Sequence, residues 1–324
     1  MTESTTLHVP SPPPAAPAQS TPPIQLTEEQ TKKYDAVLEH FANPEYKPAG
    51  SETGLSDEEK MWVSYECIYR YLRASKWKLD VAKQRLEQTL IWRREYGFYD
   101  KLTTELVEPE ALTGKMVLFG HDLHGRPGLY LLPSKQNTDG PERQVQFTVW
   151  MLERTLDLMP AGVESLDLLI DFADKAKNPS LGVARSVLSI LQDHYPERLG
   201  LALILNVPFL VNAFLKLIMP FVDPMTRTKI KFNPKVIEDG IFAPEMVTAG
   251  WGGSVELEYK HEEYWPALVA MTNERRALWT ENWRALGAKV GLKETDFKTG
   301  QKGDASQAVA APEAVTAPTE VAAV

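Results

Sequence analysis

SLDLLIDF (165–172), PSLGVARSVLSILQD (179–193) and GLALILNV (200–207) follow in order along one stretch of the chain. Two short apolar runs flank a segment of helical length and pattern, which is the mark of a βαβ unit and a mainly parallel sheet. Working outward, MVLFG (116–120) and GLYLLP (128–133) read as strands joined through an HGRPG turn, and a helix is expected from Pro141 to Met159. On the other side, a helix from Pro208 to Met219 and a short strand KIKF (229–232) continue the alternation. Before about Thr103 the pattern is helical throughout. TEEQTKKYDAVLEHF (27–41) is one helix, and the capping box Ser56-Asp57-Glu58-Glu59 opens a second that runs to about Ala74. Asp80 starts a third, which Gly97 can close in the left-handed conformation. A long helix over 261–286 ends the ordered part. The fold class expected is α/β: a helical N-terminal unit (26–100), an α/β domain (101–262) and a helical extension (263–295). The flanks 1–25 and 296–324, rich in Pro, Ser, Thr and Ala, are expected to be disordered because they have too little apolar surface to offset chain entropy.

Charge and cysteine content remove several functions. The chain has 324 residues and a net charge of −9, so it lacks the basic footprint that nucleic acid requires. Its one cysteine, Cys67, excludes an intrachain disulfide framework, a CxxC redox pair and a multi-cysteine zinc site. The first residues carry no basic and apolar leader, and no run is long enough to span a bilayer, so a cytoplasmic protein is expected.

Catalytic constellations are not legible. The chain holds no GxSxG elbow, no GxxxxGK[ST] loop and no GxGxxG, so an enzyme is not expected. His121, Asp122 and His124 could suggest metal ligands, but a polar hairpin turn is the favoured reading in this Gly-Pro setting. Asp167, Asp171 and Asp174 surround a buried strand, where a structural role is favoured over an acidic metal site.

Against the acidic total, two stretches are purely basic. Arg70, Arg73, Lys76 and Lys78 fall within 70–78, and Arg227, Lys229, Lys231 and Lys235 within 224–237. Each carries four cations and no acid, so the remainder of a chain of net charge −9 stands near −17. Cations concentrated this way point to an anion, although solvated faces account for the exposed members of each cluster. Directly before the second cluster lies PFLVNAFLKLIMPFVDP (208–224), whose apolar residues cover most of a helix's circumference. Such a helix is either buried or meets lipid for part of its working life.

These pieces resemble one family. LRASKW (72–77), IWRREYG (91–97), HGRPGLYLL (124–132), YPERLGLALILNVPFL (195–210) and PFVDPMTRTKI (220–230) are similar, in uninterrupted order over about 56–260, to the CRAL-TRIO lipid-binding family. Within it, the nearest likeness is to the fungal phosphatidylinositol transfer proteins. The resemblance implies a helical tripod packed on a mixed, mainly parallel sheet. It also implies an apolar cavity holding one phospholipid, closed by a helical gate carrying Phe209, Phe214, Leu217, Ile218 and Phe221. Carried over by motif, the inositol phosphate site falls on Glu197, Thr226 and Lys229. Lys229 would neutralise the phosphate, Thr226 would donate to it and Glu197 would accept from inositol hydroxyls.

The chain departs from the family at two places. Many members carry arginine directly before the lysine of the N-terminal motif, where this chain has Ser75, so Lys76 or Arg73 would have to compensate. Members that exchange phosphatidylcholine place Ser and Thr on the strand matching 165–172, where this chain puts Leu166, Leu168 and Ile170 on one face, implied to line the cavity. The expectation is therefore phosphatidylinositol without phosphatidylcholine exchange, a sterol if there is a second ligand, no cofactor besides the bound lipid and transient contact with membranes. A carrier of a non-phospholipid hydrophobe is the alternative, which Glu197, Thr226 and Lys229 disfavour.

Overall fold

The computed structural model describes residues 5–15, 19, 24–173, 181–207, 219, 222 and 224–300. The expected βαβ unit is present as β4 (Leu166–Asp171), α7 (Leu181–His194) and β5 (Leu199–Leu205). With β2 (Met116–His121), β3 (Pro127–Leu131) and β6 (Ile230–Phe232) they form a five-stranded sheet in the order β2-β3-β4-β5-β6. The β2–β3 hairpin is antiparallel and the other pairings are parallel, so the sheet is mixed but mainly parallel.

Register explains why the strands read as continuous apolar runs. Leu129, Leu168, Ala202 and Ile230 stand side by side on one face, as do Leu131, Ile170, Ile204 and Phe232. The opposite face carries Tyr130, Leu169 and Leu203, all buried in the main core. Both faces of a parallel sheet are covered, so alternation of apolar and polar residues is lost. The register shifts between Leu166 and Leu168, where the Leu201 N–H donates to Asp167 Oδ1 at 2.7 Å instead of joining the ladder. A Cβ on Gly200 would sit 2.5 Å from that oxygen, so the close approach requires glycine. Asp167 is thus a structural acid; burial, with Asp122 beside it, pushes its carboxyl well up. In the β2–β3 turn, Asp122 Oδ1 accepts from the N–H groups of His124 and Arg126, both at 2.8 Å. His121 is buried, which pushes its imidazole down to about 4. Asp171 accepts from the Ala173 N–H and the Asn206 amide, while Asp174 lies outside the described residues.

The N-terminal unit is helical. α1 (Glu28–Ala42) is capped by Thr27 and α2 (Asp57–Trp62) by Ser56, each with a complete capping box. α3 (Tyr65–Ala74) packs with α4 (Leu79–Tyr96), whose end Gly97 closes at φ 85°. The single helix expected over 56–74 is corrected to two, because Ser64 accepts from the Cys67 N–H and restarts the helix as a second N-cap. Tyr34, Val37, Phe41, Ile68, Leu72, Leu86 and Leu90 form a core of their own. α5 (Thr104–Ala111) and α6 (Pro141–Asp157) complete the helices that precede β4.

Both expected tails are shorter than composition implied. Residues Thr5–Leu7 form β1, parallel to β7 (Val255–Leu257), and Ser11 Oγ accepts from the Gly120 N–H at 2.7 Å. Main-chain pairing needs no apolar side chains, so a Pro/Ser/Thr-rich stretch can dock without a hydrophobic signature. At the other end, after the short helix α8 (Pro224–Thr228) and the long α9 (His261–Ala285), α10 (Glu294–Thr299) runs past the expected boundary at 295. Its Phe297 is buried against Trp279 and Trp283.

Candidate functional site

The YPER sequence forms the turn between α7 and β5, and both of its flanks are anchored. The Tyr195 hydroxyl donates to Glu153 Oε1 at 2.8 Å, and Arg198 Nη1 donates to the Glu164 carbonyl at 2.9 Å. Arg93 of α4 meets the same Glu153 through two hydrogen bonds of 3.0 and 3.1 Å. Burial alone would raise the Glu153 carboxyl, but the Arg93 charge and its hydrogen bonds override it and hold the group at about 2. Beside this pair, the His194 ring stacks on Trp92 at 4.0 Å, nearly parallel, and its Nδ1 meets Thr89 Oγ1 at 3.0 Å. Burial pushes His194 down to about 4, so it is neutral near pH 7.

Held between these anchors, Glu197 takes a φ of 60°, in the left-handed region that a residue with a Cβ seldom adopts. Its carboxylate faces Arg73 Nη2 at 3.3 Å. Lys76 and Trp77, in the turn after α3, also have positive φ, at 51° and 58°. Three strained residues on two facing turns are unusual, and such strain persists where the surroundings over-determine it.

α8 and β6 supply the third side. The Lys229 ammonium donates to the Leu199 carbonyl at 2.7 Å, two residues beyond Glu197, and the Lys229 N–H donates to the Thr226 carbonyl at 3.1 Å. The Lys229 carbonyl in turn accepts from the Ala202 N–H, which fixes the approach of this segment to β5. Lys229 therefore reaches the first residue of β5 beyond the turn that carries Glu197, and Thr226 is joined to it through the backbone, while Arg73 lies against the Glu197 carboxylate and the exposed Lys76 stands in the turn after α3.

Two atoms at 73–76 have unmet hydrogen-bonding capacity. Arg73 Nε and Ser75 Oγ are buried without a hydrogen-bond partner among the described residues. Each can donate to an oxyanion. Arg70, which the sequence groups with the first basic cluster, is not available to an anion there: it is buried and paired with Glu164 and Glu294 at 3.0 and 3.1 Å.

The implied cavity-lining strand divides. Leu166 is 2% exposed and packs with Leu152, Met159, Val163 and Tyr195, which is core packing rather than cavity lining. Leu168 and Ile170 stay half-buried, Ile170 beside Phe172, Ile204, Val207 and Ile230. The gate residues Phe209, Phe214, Leu217, Ile218 and Phe221 lie outside the described residues. No described helix is long and apolar enough to cross a membrane.

Sequence reading missed the Arg93–Glu153–Tyr195 linkage. Its signal was present in part, since Tyr195 belongs to the recognised motif, but partners 42 and 60 residues away leave no local spacing to read.

Comparison with known proteins places the chain in a family. Residues 33–88 match the CRAL/TRIO N-terminal domain and residues 112–253 the CRAL/TRIO domain. A CRAL-TRIO domain-containing protein of Schizosaccharomyces pombe is 44% identical over 283 residues, covering 86% of this chain but 28% of the relative's length. Phosphatidylinositol transfer protein PDR17 of Saccharomyces cerevisiae is 38% identical over 299 residues, 84% of each chain. The crystal structure of Sfh5 superposes with a TM-score of 0.55 at 19% identity, covering 74% of this chain and 93% of that one, which is a likeness of fold.

Proposed function

Because the chain belongs to the CRAL-TRIO family, we propose that it binds one phosphatidylinositol and carries it between membranes or presents it there. The observation that carries this reading is the corner where Glu197 meets Arg73 at 3.3 Å with Lys229 held beside it on the Leu199 carbonyl. A phosphodiester there takes its counter-charge from Lys229 and Arg73, with Lys76 at the exposed rim. The Thr226 hydroxyl donates to the same group, and Glu197 accepts from inositol hydroxyls, a set of acceptors and donors that choline cannot match. Acyl chains then run along the half-buried Leu168 and Ile170. Each buried CH₂ contributes about 0.8 kcal/mol, so a carried lipid has to be sealed from water.

The apolar face of β4 argues against phosphatidylcholine as the exchange partner, since the half-buried Leu168 and Ile170 offer its phosphate no donor. The same face suits a sterol as a second ligand. No catalytic step is assigned to the chain. Its contact with membranes is transient and peripheral.

The test is a vesicle-to-vesicle transfer assay with labelled phosphatidylinositol and labelled phosphatidylcholine in parallel. Transfer of the first with the second at background is expected. Equal transfer of both overturns the exclusion of phosphatidylcholine, and background values for both overturn the function.

A further inference from the structure

Residues 5–15 form a strap over the edge of the described sheet farthest from β6. β1 pairs with β7, the Glu258 N–H donates to the Leu7 carbonyl at 3.0 Å, and Leu7 packs against the main core. Pro10 is buried. The strap then reaches β2, where the register shifts between Leu118 and His121. Such a bulge leaves an amide outside the ladder. Gly120 has a φ of 67°, and a Cβ there would lie 1.8 Å from the Met246 carbonyl oxygen, so this amide is fixed in place. The half-buried Ser11 accepts its N–H through Oγ at 2.7 Å.

Ser11 opens the run Ser-Pro-Pro-Pro (11–14). A residue before proline is held in the extended region, the conformation in which proline-directed protein kinases take a serine. Thr21 is the one other serine or threonine of the chain that precedes a proline. Apart from histidines, charge around the strap is of one sign. Residues 1–31 contain no Lys or Arg, and neither do the segments 116–125 and 241–259 that carry β2 and β7. Those two segments hold four acids, Asp122, Glu245, Glu256 and Glu258. The cations that border them are engaged: Lys115 by Glu110, Arg126 by Asp122 at 3.5 Å, and Lys260 by Glu258 and Glu263 at 3.7 and 3.8 Å.

We propose that Ser11 is phosphorylated by a proline-directed protein kinase and that the modification releases the strap from β2 and β7. Ser11 Oγ attacks the γ-phosphorus of ATP. The new O–P bond forms as the bond to the β-phosphate oxygen breaks, ADP leaves, and the hydroxyl proton passes to the base of the kinase. Local opening of the strap presents the serine, since three residues of β1 and a few single hydrogen bonds hold it down. The phosphoryl group carries about −1.5 to −2 charge at pH 7. Returned to a half-buried place beside acidic segments, it would meet like-charge repulsion and lose its hydration with no lysine or arginine to replace it, so the strap stays open. The headgroup corner takes no part in this.

Incubation of the full chain carrying Thr21→Ala, which leaves Ser11 as its one proline-directed position, with a purified mitogen-activated protein kinase and Mg-ATP tests both steps. Phosphosite mapping should find one phosphoryl group on Ser11, absent when Ser11→Ala is added. Pro12→Ala, which keeps the hydroxyl, should lower the rate by about tenfold or more. Hydrogen exchange of the amides at 255–258 should be about tenfold faster in the phosphorylated chain than before treatment, and unchanged in Ser11→Ala. An unmodified Ser11, or modification of Pro12→Ala at the undiminished rate, overturns the site. Modified Ser11 with unchanged exchange, or an equal acceleration in Ser11→Ala, overturns the release.

Discussion

Glu197→Ala combined with Lys229→Ala is expected to reduce phosphatidylinositol transfer between vesicles by about a hundredfold or more, to background. Each substitution removes a proposed charged partner of the headgroup, and hydrogen bonds to charged groups are worth about 1.5–3 kcal/mol apiece. Losing both therefore costs at least two powers of ten in binding. Folding should hardly notice. Glu197 and Arg73 are 31% and 38% exposed, and such pairs contribute about 0–1 kcal/mol. The Glu197 backbone keeps its φ of 60° because Tyr195 and Arg198 anchor the turn from either side. Thermal unfolding of the double variant should thus fall within a few degrees of wild type, at about 2–4 °C per kcal/mol for a chain this size. Transfer at wild-type rate removes the assigned site. A collapse in melting temperature shows instead that Glu197 and Lys229 hold up the fold.

The largest effect on stability belongs to Glu153→Ala. Glu153 is buried, shares two hydrogen bonds with Arg93 and accepts a third from Tyr195. Removing it strands a buried guanidinium and a phenol, which costs about 3–5 kcal/mol, or about 10 °C in melting temperature. The residue also joins the helical unit, through α4, to α6 and the YPER turn, so its loss should slow transfer although no headgroup contact is removed. Arg93→Met with Glu153→Leu should recover part of the stability, because an apolar pair leaves no unpaired charge. Acid has the same effect as the single substitution. The carboxyl, held at about 2 against an ordinary 4.5, contributes its stability in full above 4.5 and loses it as pH falls through about 2. Calorimetry of the wild type and the two variants checks this; a melting temperature for Glu153→Ala within two or three degrees of wild type refutes the linkage.

The strands were legible because each is a short apolar run bounded by turn residues, and β2 to β6 fall within two residues of their expected limits. Ordering along the chain was enough to infer parallel crossovers around β4 and β5. Pairings between distant residues left no trace. Arg70 reads as one cation among four in 70–78, yet Glu294, 224 residues away, takes it out of play. The docking of Thr5–Leu7 beside Val255–Leu257 is made by the backbone, to which composition is blind. The break at Ser64 was in principle visible as a second capping residue, but the apolar period runs across it from Met61 to Leu72. At the site itself, motif matching supplied Glu197, Thr226 and Lys229 and left Lys76 or Arg73 as the compensating cation, whereas the Arg73–Glu197 pair follows only from α3 facing the YPER turn.

Native mass spectrometry of the purified full chain, followed by lipid extraction, decides whether this corner holds an inositol phospholipid. One phosphatidylinositol per chain is predicted, absent from the Glu197→Ala/Lys229→Ala variant. Phosphatidylcholine at comparable occupancy, or phosphatidylinositol retained undiminished by that variant, would remove this site.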